Sequence, residues 1–238
     1  GLKPTKTVMD AVLKVDKHRT FPKYASKTFE KWYKKNVAAF QNSFPRHVSM
    51  FHGCYVNYNY PQLGKDLVSV MNALGYGVHL LENEKCCGTA LISNGMIDQA
   101  KRNAVNNIES MRKSVYERQM PVISTSSSCT FTMRDEYPHL LGVKNEDVRD
   151  YIELATRFIY KLIDQDKVKL TVLDSNCCGI AGTYGFKKEN YEVSQAIGKP
   201  LFDQIAKLKP DYVACDCETC KWQIEMSTGK EVKNPISI

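Results

Sequence analysis

Two Cys-Cys-Gly triplets constrain this chain more than any other feature. Cys177-Cys178-Gly179 is answered downstream by Cys217-Glu218-Thr219-Cys220, and Cys86-Cys87-Gly88 by Ser126-Ser127-Ser128-Cys129. Thirty-eight residues separate Cys87 from Ser126, and thirty-eight separate Cys178 from Cys217. The same marks at the same spacing define an internal repeat, with Ser126 standing where the second copy has a cysteine. Adjacent cysteines rarely bridge each other, because the small ring strains the peptide between them. Their Cβ vectors diverge instead, so two neighbouring sulfurs reach two sides of one polynuclear centre. A Cys-x-x-Cys loop puts two more sulfurs on one side of a metal, and the glycine lets the backbone turn tightly beside them. The pattern is one of metal ligands.

Cysteine usage agrees. Nine cysteines in 238 residues is an odd number in a chain large enough to fold without disulfide staples, so a reducing compartment is expected. The length suits two small domains or one double one, and 43% hydrophobic with 25% charged residues is ordinary for a globular chain. The net charge of +7 is read as a solvated basic surface. Without a stripe of interleaved aromatic and basic residues, no nucleic-acid partner is expected. No run of 18 apolar residues predicts a membrane-spanning helix, and no signal peptide is expected. The chain opens on Gly-Leu-Lys-Pro without a Met and is read as a fragment of a longer protein.

Four segments are expected: N-terminal helices over 1–45, a first repeat over 46–142, a connecting helix within 143–169, and a second repeat over 170–238. In the first segment Phe29, Trp32 and Tyr33 are expected to pack on the body while the lysines around them meet solvent. In the first repeat, strands at 47–53, 77–81 and 121–125 alternate with helices at 61–74 and 97–119, and another helix runs to about 137. That is a βαβαβ unit with a parallel sheet, an α/β fold of Rossmann-like repeats. Ligands gather at the carboxyl ends of such strands, where Cys54, Cys86, Cys87 and Cys129 fall. A helix is expected over 146–165, with Val148, Ile152, Ala155, Phe158, Ile159 and Leu162 as its buried stripe. The second repeat resumes with a strand at 170–173, a helix at 191–208 containing Pro200, a strand at 212–215 and a helix ending at Gly229. It lacks a first strand and helix, so a segment of roughly 30 to 40 residues, the size of a βα unit, is expected to be missing near 169/170.

Three chemistries fit the spacing: paired iron–sulfur centres, a structural zinc on Cys177, Cys178, Cys217 and Cys220, or a dithiol redox site on Cys217 and Cys220. Adjacent cysteines are unusual zinc ligands, and a dithiol leaves the Cys-Cys pairs unexplained. His47 and His52 are read as hydrogen-bonded core residues rather than ligands, and Cys215 as a buried structural thiol. No Gly-rich dinucleotide fingerprint appears, so no hydride chemistry of the chain's own is expected.

The layout of Cys, Cys-Cys-Gly and Cys-x-x-Cys resembles the duplicated cysteine-rich "CCG" domain found in the B subunits of heterodisulfide reductases and in related respiratory proteins. His18 through Tyr24, Ser128 through Thr132, Cys177 through Phe186 and Asp216 through Met226 are similar, more narrowly, to the C subunits of anaerobic glycerol-3-phosphate dehydrogenases. That resemblance implies an electron-transfer subunit that is not catalytic alone. It implies flavin-bearing dehydrogenase subunits as partners, transfer to a quinone, and a peripheral place on the cytoplasmic side of the inner membrane. It also implies a ferredoxin-like N-terminal domain in the full subunit. The cofactor it implies is an iron–sulfur cluster, which in heterodisulfide reductase is a noncubane 4Fe-4S cluster on five cysteines. Carried over, the ligands are Cys54, Cys86, Cys87 and Cys129 in the first copy, with Ser126 in a ligand position. In the second they are Cys177, Cys178, Cys217 and Cys220, with one more in the missing segment. A zinc-stabilised docking module and a thiol–disulfide oxidoreductase remain as alternatives.

Overall fold

The computed structural model describes residues 14–16, 18–19, 23–163, 173 and 177–238. They fall into two compact units. The larger takes Lys23–Val168 with Asn234–Ile238; the smaller takes Gly1–Pro22 with Lys169–Lys233. The strand expected at 170–173 and the first turns of the N-terminal helix lie outside the described residues, Leu173 excepted.

The larger unit is an α/β layer structure. Its sheet has the order β2-β1-β3-β4, with β1 at Arg46–Phe51, β2 at Tyr76–Leu80, β3 at Val122–Ser124 and β4 at Ile152–Leu154. All pairings are parallel, with Val48 opposite Val78, Ser49 opposite Val122, and Val122 opposite Ile152. Parallel strands need crossovers, and helices supply them on both faces. Helix α2, Pro61–Ala73, opens on a proline at its first turn, where the missing N–H costs nothing. It buries Leu63, Leu67 and Met71, which share a cluster with Val48, Met50 and Ile123 of the sheet. Helix α4, Ile97–Arg112, follows the short α3, Thr89–Ser93. It covers the opposite face, where Ala100, Ala104, Ile108 and Met111 join Phe51, Val122 and Ile152. Alternate strand residues thus feed opposite layers, as the strand period requires.

Helix α1, Phe29–Asn36, starts at Thr28, whose hydroxyl accepts from Lys31 N. It buries Phe29 and Tyr33 as expected. Together with the turn Ala38–Ser43 that follows, it also protects an open sheet edge. On edge strand β2, Val78 N donates to Gln41 Oε1 at 2.8 Å, and Val78 O accepts from the Tyr33 hydroxyl at 2.5 Å. Two side chains occupy the groups a further strand would pair with.

The segment 146–165 is not one helix. It forms a single turn at Arg149–Tyr151, then β4, then α7, Ala155–Tyr160. Of the expected stripe, Phe158 and Ile159 are half-buried and Leu162 is exposed, because the helix ends at Tyr160, but Val148, Ile152 and Ala155 are buried. Their spacing fits a strand entering a helix as well as a helix, and pairing with β3 decides it.

In the smaller unit, helix α8, Tyr191–Leu208, runs unbroken through Pro200. Strand β5, Val213–Ala214, pairs in parallel with β6, Val232–Lys233. Between them helix α9, Glu218–Thr228, ends at Gly229 in the left-handed region, as expected. Leu201, Ile205, Val213, Ile224 and Val232 form the core with Cys178 and Ile180. No helix among the described residues is long and apolar enough to cross a membrane.

Candidate metal centre

In the larger unit the sheet brings four thiols to its carboxyl edge. Cys54 follows β1 at the start of a wide helical turn, Cys86 and Cys87 follow β2, and Cys129 lies in the short helix α5, Ser127–Phe131, after β3. Their sulfurs form a chain of contacts. Cys54 and Cys87 are both hydrogen-bonded to Cys86, and Cys87 Sγ lies 3.2 Å from Cys129 Sγ. Hydrogen bonds from Cys54 and Cys87 hold the Cys86 thiol well below its usual range. Contacts with Cys129 and Cys86, together with burial, push Cys87 up. Burial grades from exposed Cys54 through half-buried Cys86 and Cys129 to buried Cys87.

Three asparagines of α4 set the loop that carries Cys86 and Cys87. Asn106 Nδ2 donates to Asn83 O at 2.6 Å, and Asn103 Nδ2 to Cys86 O at 3.2 Å. Asn107 holds Lys85 from both sides, accepting from its N–H at 2.8 Å and donating to its carbonyl at 3.0 Å. Gly88 then turns at φ +98° into α3.

Glu84 fixes the Cys54 side. Its buried carboxyl accepts from Gly53 N at 2.8 Å and His52 N at 3.0 Å. Burial pushes it up to about 8. His52 Nδ1 lies 3.0 Å from Gly53 O, and His47 Nδ1 lies 3.1 Å from His79 Nε2, so both histidines are hydrogen-bonded, although half-buried rather than in the core. Beside them lies a cleft of about 710 Å³, lined by Glu30, Lys34, Tyr58 and Lys85 together with Cys54 and Cys86. Replacing Glu84 by Ala leaves two N–H groups without acceptors, at about 1–3 kcal/mol each. The urea midpoint should fall accordingly, with Glu84→Gln falling less because one acceptor remains. An unchanged midpoint in Glu84→Ala contradicts this clamp.

The smaller unit repeats the arrangement. Cys178 Sγ meets Cys220 Sγ at 2.7 Å, and both this pair and Cys87–Cys129 are 42 residues apart in sequence. Ser126 and Cys217 hold the same backbone at the head of their helices: φ −109°, ψ 120° and φ −105°, ψ 117°. The repeat read from spacing is therefore a repeat of conformation. It also shows what Ser126 does. Its hydroxyl accepts from Cys129 N at 3.4 Å, a helix cap, and Ser126 is buried. Cys217 has no side-chain capping bond.

Cys177 is exposed, and its sulfur accepts from Gly179 N at 3.3 Å. Gly179 turns at φ +87°. Cys215 departs from expectation. It is half-buried rather than buried, and its thiol is hydrogen-bonded with Cys220, as are those of Cys178 and Cys217. β5 ends at Ala214, and residues two apart on an extended chain face the same side, so Cys215 and Cys217 are presented together.

Arg19 is marked in the sequence only as part of the His18–Tyr24 stretch, with no role of its own. The structure buries it and sets its guanidinium 4.8 Å from the centre of the Tyr191 ring. It donates to Ser194 Oγ at 3.2 Å and to Gln223 Oε1. Gln223 also donates to Ser194 Oγ at 3.1 Å, so Arg19 ties α8 to α9. A buried cation facing Cys178 offsets negative charge on thiolates in this unit.

The donor set fits an iron–sulfur group in kind: all nine cysteines are unbridged, and those of each Cys-Cys-Gly repeat gather in loops beside helix starts. Its spacing is that of thiols hydrogen-bonded to one another, and among the described residues no three His, Cys, Asp or Glu side chains surround a common point as for a single ion. A polynuclear cluster takes its sulfurs at different iron atoms and needs no such point.

Comparison with known proteins agrees with the geometry. The cysteine-rich (CCG) domain family matches residues 48–134 and 148–225. The second match begins before β4 and crosses 169/170. The C subunit of the anaerobic glycerol-3-phosphate dehydrogenase of Escherichia coli (strain K12) is 50% identical, over 100% of this chain and 69% of that protein. Its alignment runs over 275 residues against 238 here, which leaves 37 or more without a counterpart in this chain. The B subunit of the fumarate reductase (CoM/CoB) of Methanothermobacter marburgensis is 27% identical over 91% of the chain and 50% of its own length. The D subunit of a heterodisulfide reductase of Methanosarcina mazei is 32% identical over 51% of the chain and 29% of its own length. With two matched domains and half of its residues shared along its whole length, the chain belongs to the CCG cysteine-rich domain family, among the C subunits of anaerobic glycerol-3-phosphate dehydrogenases.

Proposed function

We propose that the chain is an iron–sulfur electron-transfer subunit, or a piece of one. It receives electrons from a flavin-bearing dehydrogenase that oxidises glycerol 3-phosphate and passes them towards a membrane quinone, as a peripheral protein on the cytoplasmic face. The observation that carries this reading is the contact chain Cys54–Cys86–Cys87–Cys129 at the carboxyl edge of a parallel sheet. Cys54, Cys86, Cys87 and Cys129 would hold one cluster, and Cys177, Cys178, Cys217 and Cys220 a second. A bound cluster supplies one-electron storage without proton chemistry of its own. The protein sets the terms. Buried Cys87 and Tyr137 make one side apolar, which favours the less charged state. Exposed Cys54, beside the open cleft, gives the other side a short path to a partner.

The 37 or more unmatched positions of the Escherichia coli relative match a missing βα segment in size; placed near 169/170, that segment would carry the second copy's first cysteine. Sequencing the gene across that point tests this, and an uninterrupted reading from Lys169 into Leu170 contradicts it. For electron transfer, the anaerobically prepared chain should bleach in the visible when mixed with flavin-bearing dehydrogenase subunits and glycerol 3-phosphate. A chain that holds its clusters yet stays oxidised beside an active dehydrogenase would overturn the proposal.

A further inference from the structure

We propose that Cys215 is a sulfur ligand of the second centre, joining Cys177, Cys178, Cys217 and Cys220. This rests on the cluster-binding role proposed above. In the first copy the Cys87–Cys129 pair is joined, through Cys86, by Cys54 from the end of β1. In this chain no cysteine lies between Cys129 and Cys177; the one that the missing segment would carry comes from another strand, so Cys215 is a donor beyond that set. Cys215 brings an additional thiol from a different direction. Strand β5 delivers it, and its backbone is pinned where Cys215 N donates to Lys233 O at 2.9 Å. Its thiol reaches Cys220, the same sulfur that Cys178 and Cys217 touch. It also approaches the Cys217 carbonyl at 3.6 Å and packs with Cys220 against the core containing Cys178.

The first copy shows what the position does without a thiol. Counting back two from the helix cap, as from Cys217 to Cys215, gives Ser124. The Ser124 hydroxyl accepts from Ser126 N at 3.3 Å, a bond within the loop. The second copy exchanges both loop serines for cysteines. Two neutral hydroxyls that knit the backbone become two soft donors facing Cys220, a change that serves a thiophilic metal and weakens the local hydrogen bonding.

The test counts sulfurs directly. Cadmium is added anaerobically to the apo chain in a background with Cys54, Cys86, Cys87 and Cys129 all replaced by Ser, which removes the first centre's thiols, and the thiolate-to-metal absorbance is read at saturation. Adding Cys215→Ser should lower that absorbance by about a fifth to a quarter, the share of one sulfur among four or five. The same substitution should lower the iron and sulfide retained after anaerobic reconstitution several-fold. Cys215→Ala, which carries no oxygen donor, should behave alike. Unchanged cadmium absorbance in both variants overturns the proposal, as does a loss seen with Cys177→Ser but not with Cys215→Ser. If cadmium counts Cys215 while iron and sulfide bind to no form of the protein, the iron–sulfur reading fails and the sulfur site stands.

Discussion

Cys87→Ser should abolish the first centre while leaving the fold in place. Cys87 is the buried link of the contact chain, between Cys86 and Cys129. Serine is nearly the same shape, and its hydroxyl inherits a partner, because Thr89 Oγ1 already lies 3.2 Å from the Cys87 sulfur and in turn 2.7 Å from Thr132 Oγ1. The satisfied hydroxyl should keep the loss of stability within about 1 kcal/mol. Metal binding behaves differently. A hydroxyl stays protonated near neutral pH where a thiol releases its proton to solvent on binding the metal, so the ligand is lost outright. In a chain loaded at both centres, iron and sulfide should fall by about half, and the surviving EPR signal should belong to the second centre. Full iron content in Cys87→Ser, with an unaltered spectrum, would show that this contact chain is not the binding site.

Gly179→Ala should be the most damaging single methyl in the smaller unit. A Cβ at this position would lie 2.0 Å from Ser194 O and 3.1 Å from Gly198 N, both backbone atoms of α8. Neither can swing aside, so the Cys177–Cys178 loop must lift from the helix. The residue also sits at φ +87°, which costs an L-residue about 1–2 kcal/mol before any clash. Together these should exceed about 3 kcal/mol and separate Cys178 from Cys220. Gly229→Ala isolates the backbone share: φ is +68°, but nothing lies within 4 Å of its added Cβ, so about 1 kcal/mol is expected. Thermal unfolding of both variants checks the contrast. Equal midpoints would mean that the close approach of the loop to α8 is absent in solution.

The repeat was legible because its marks are chemical and evenly spaced: Cys-Cys-Gly, then a cysteine 42 positions after the second thiol. The first three strands and α2 were legible because burial in a parallel sheet imposes runs and periods that few other structures share. The strand β4 was hidden because Val148, Ile152 and Ala155 sit at spacings common to helix and strand-then-helix. Only a partner strand distinguishes them, and β3 is nearly thirty residues away in sequence. Polar positioning groups were hidden for another reason. Asn103, Asn106 and Asn107 look like a solvated helix face until the Asn83–Cys86 loop is laid against them. Glu84 looks like one of several loop acids, although an acid between an apolar strand and a cysteine pair was a usable hint. Ser126 read as a substituted ligand, but its hydroxyl caps a helix. Cys215 read as inert for want of the neighbours that folding supplies.

The account stands on the kind of group these thiols hold, and one preparation decides it: anaerobic purification followed by iron, sulfide and zinc analysis, with EPR of the oxidised and reduced forms. The account predicts iron and inorganic sulfide in near-equal amounts and a paramagnetic signal that appears or vanishes with one-electron reduction. Stoichiometric zinc with neither iron nor sulfide would contradict it.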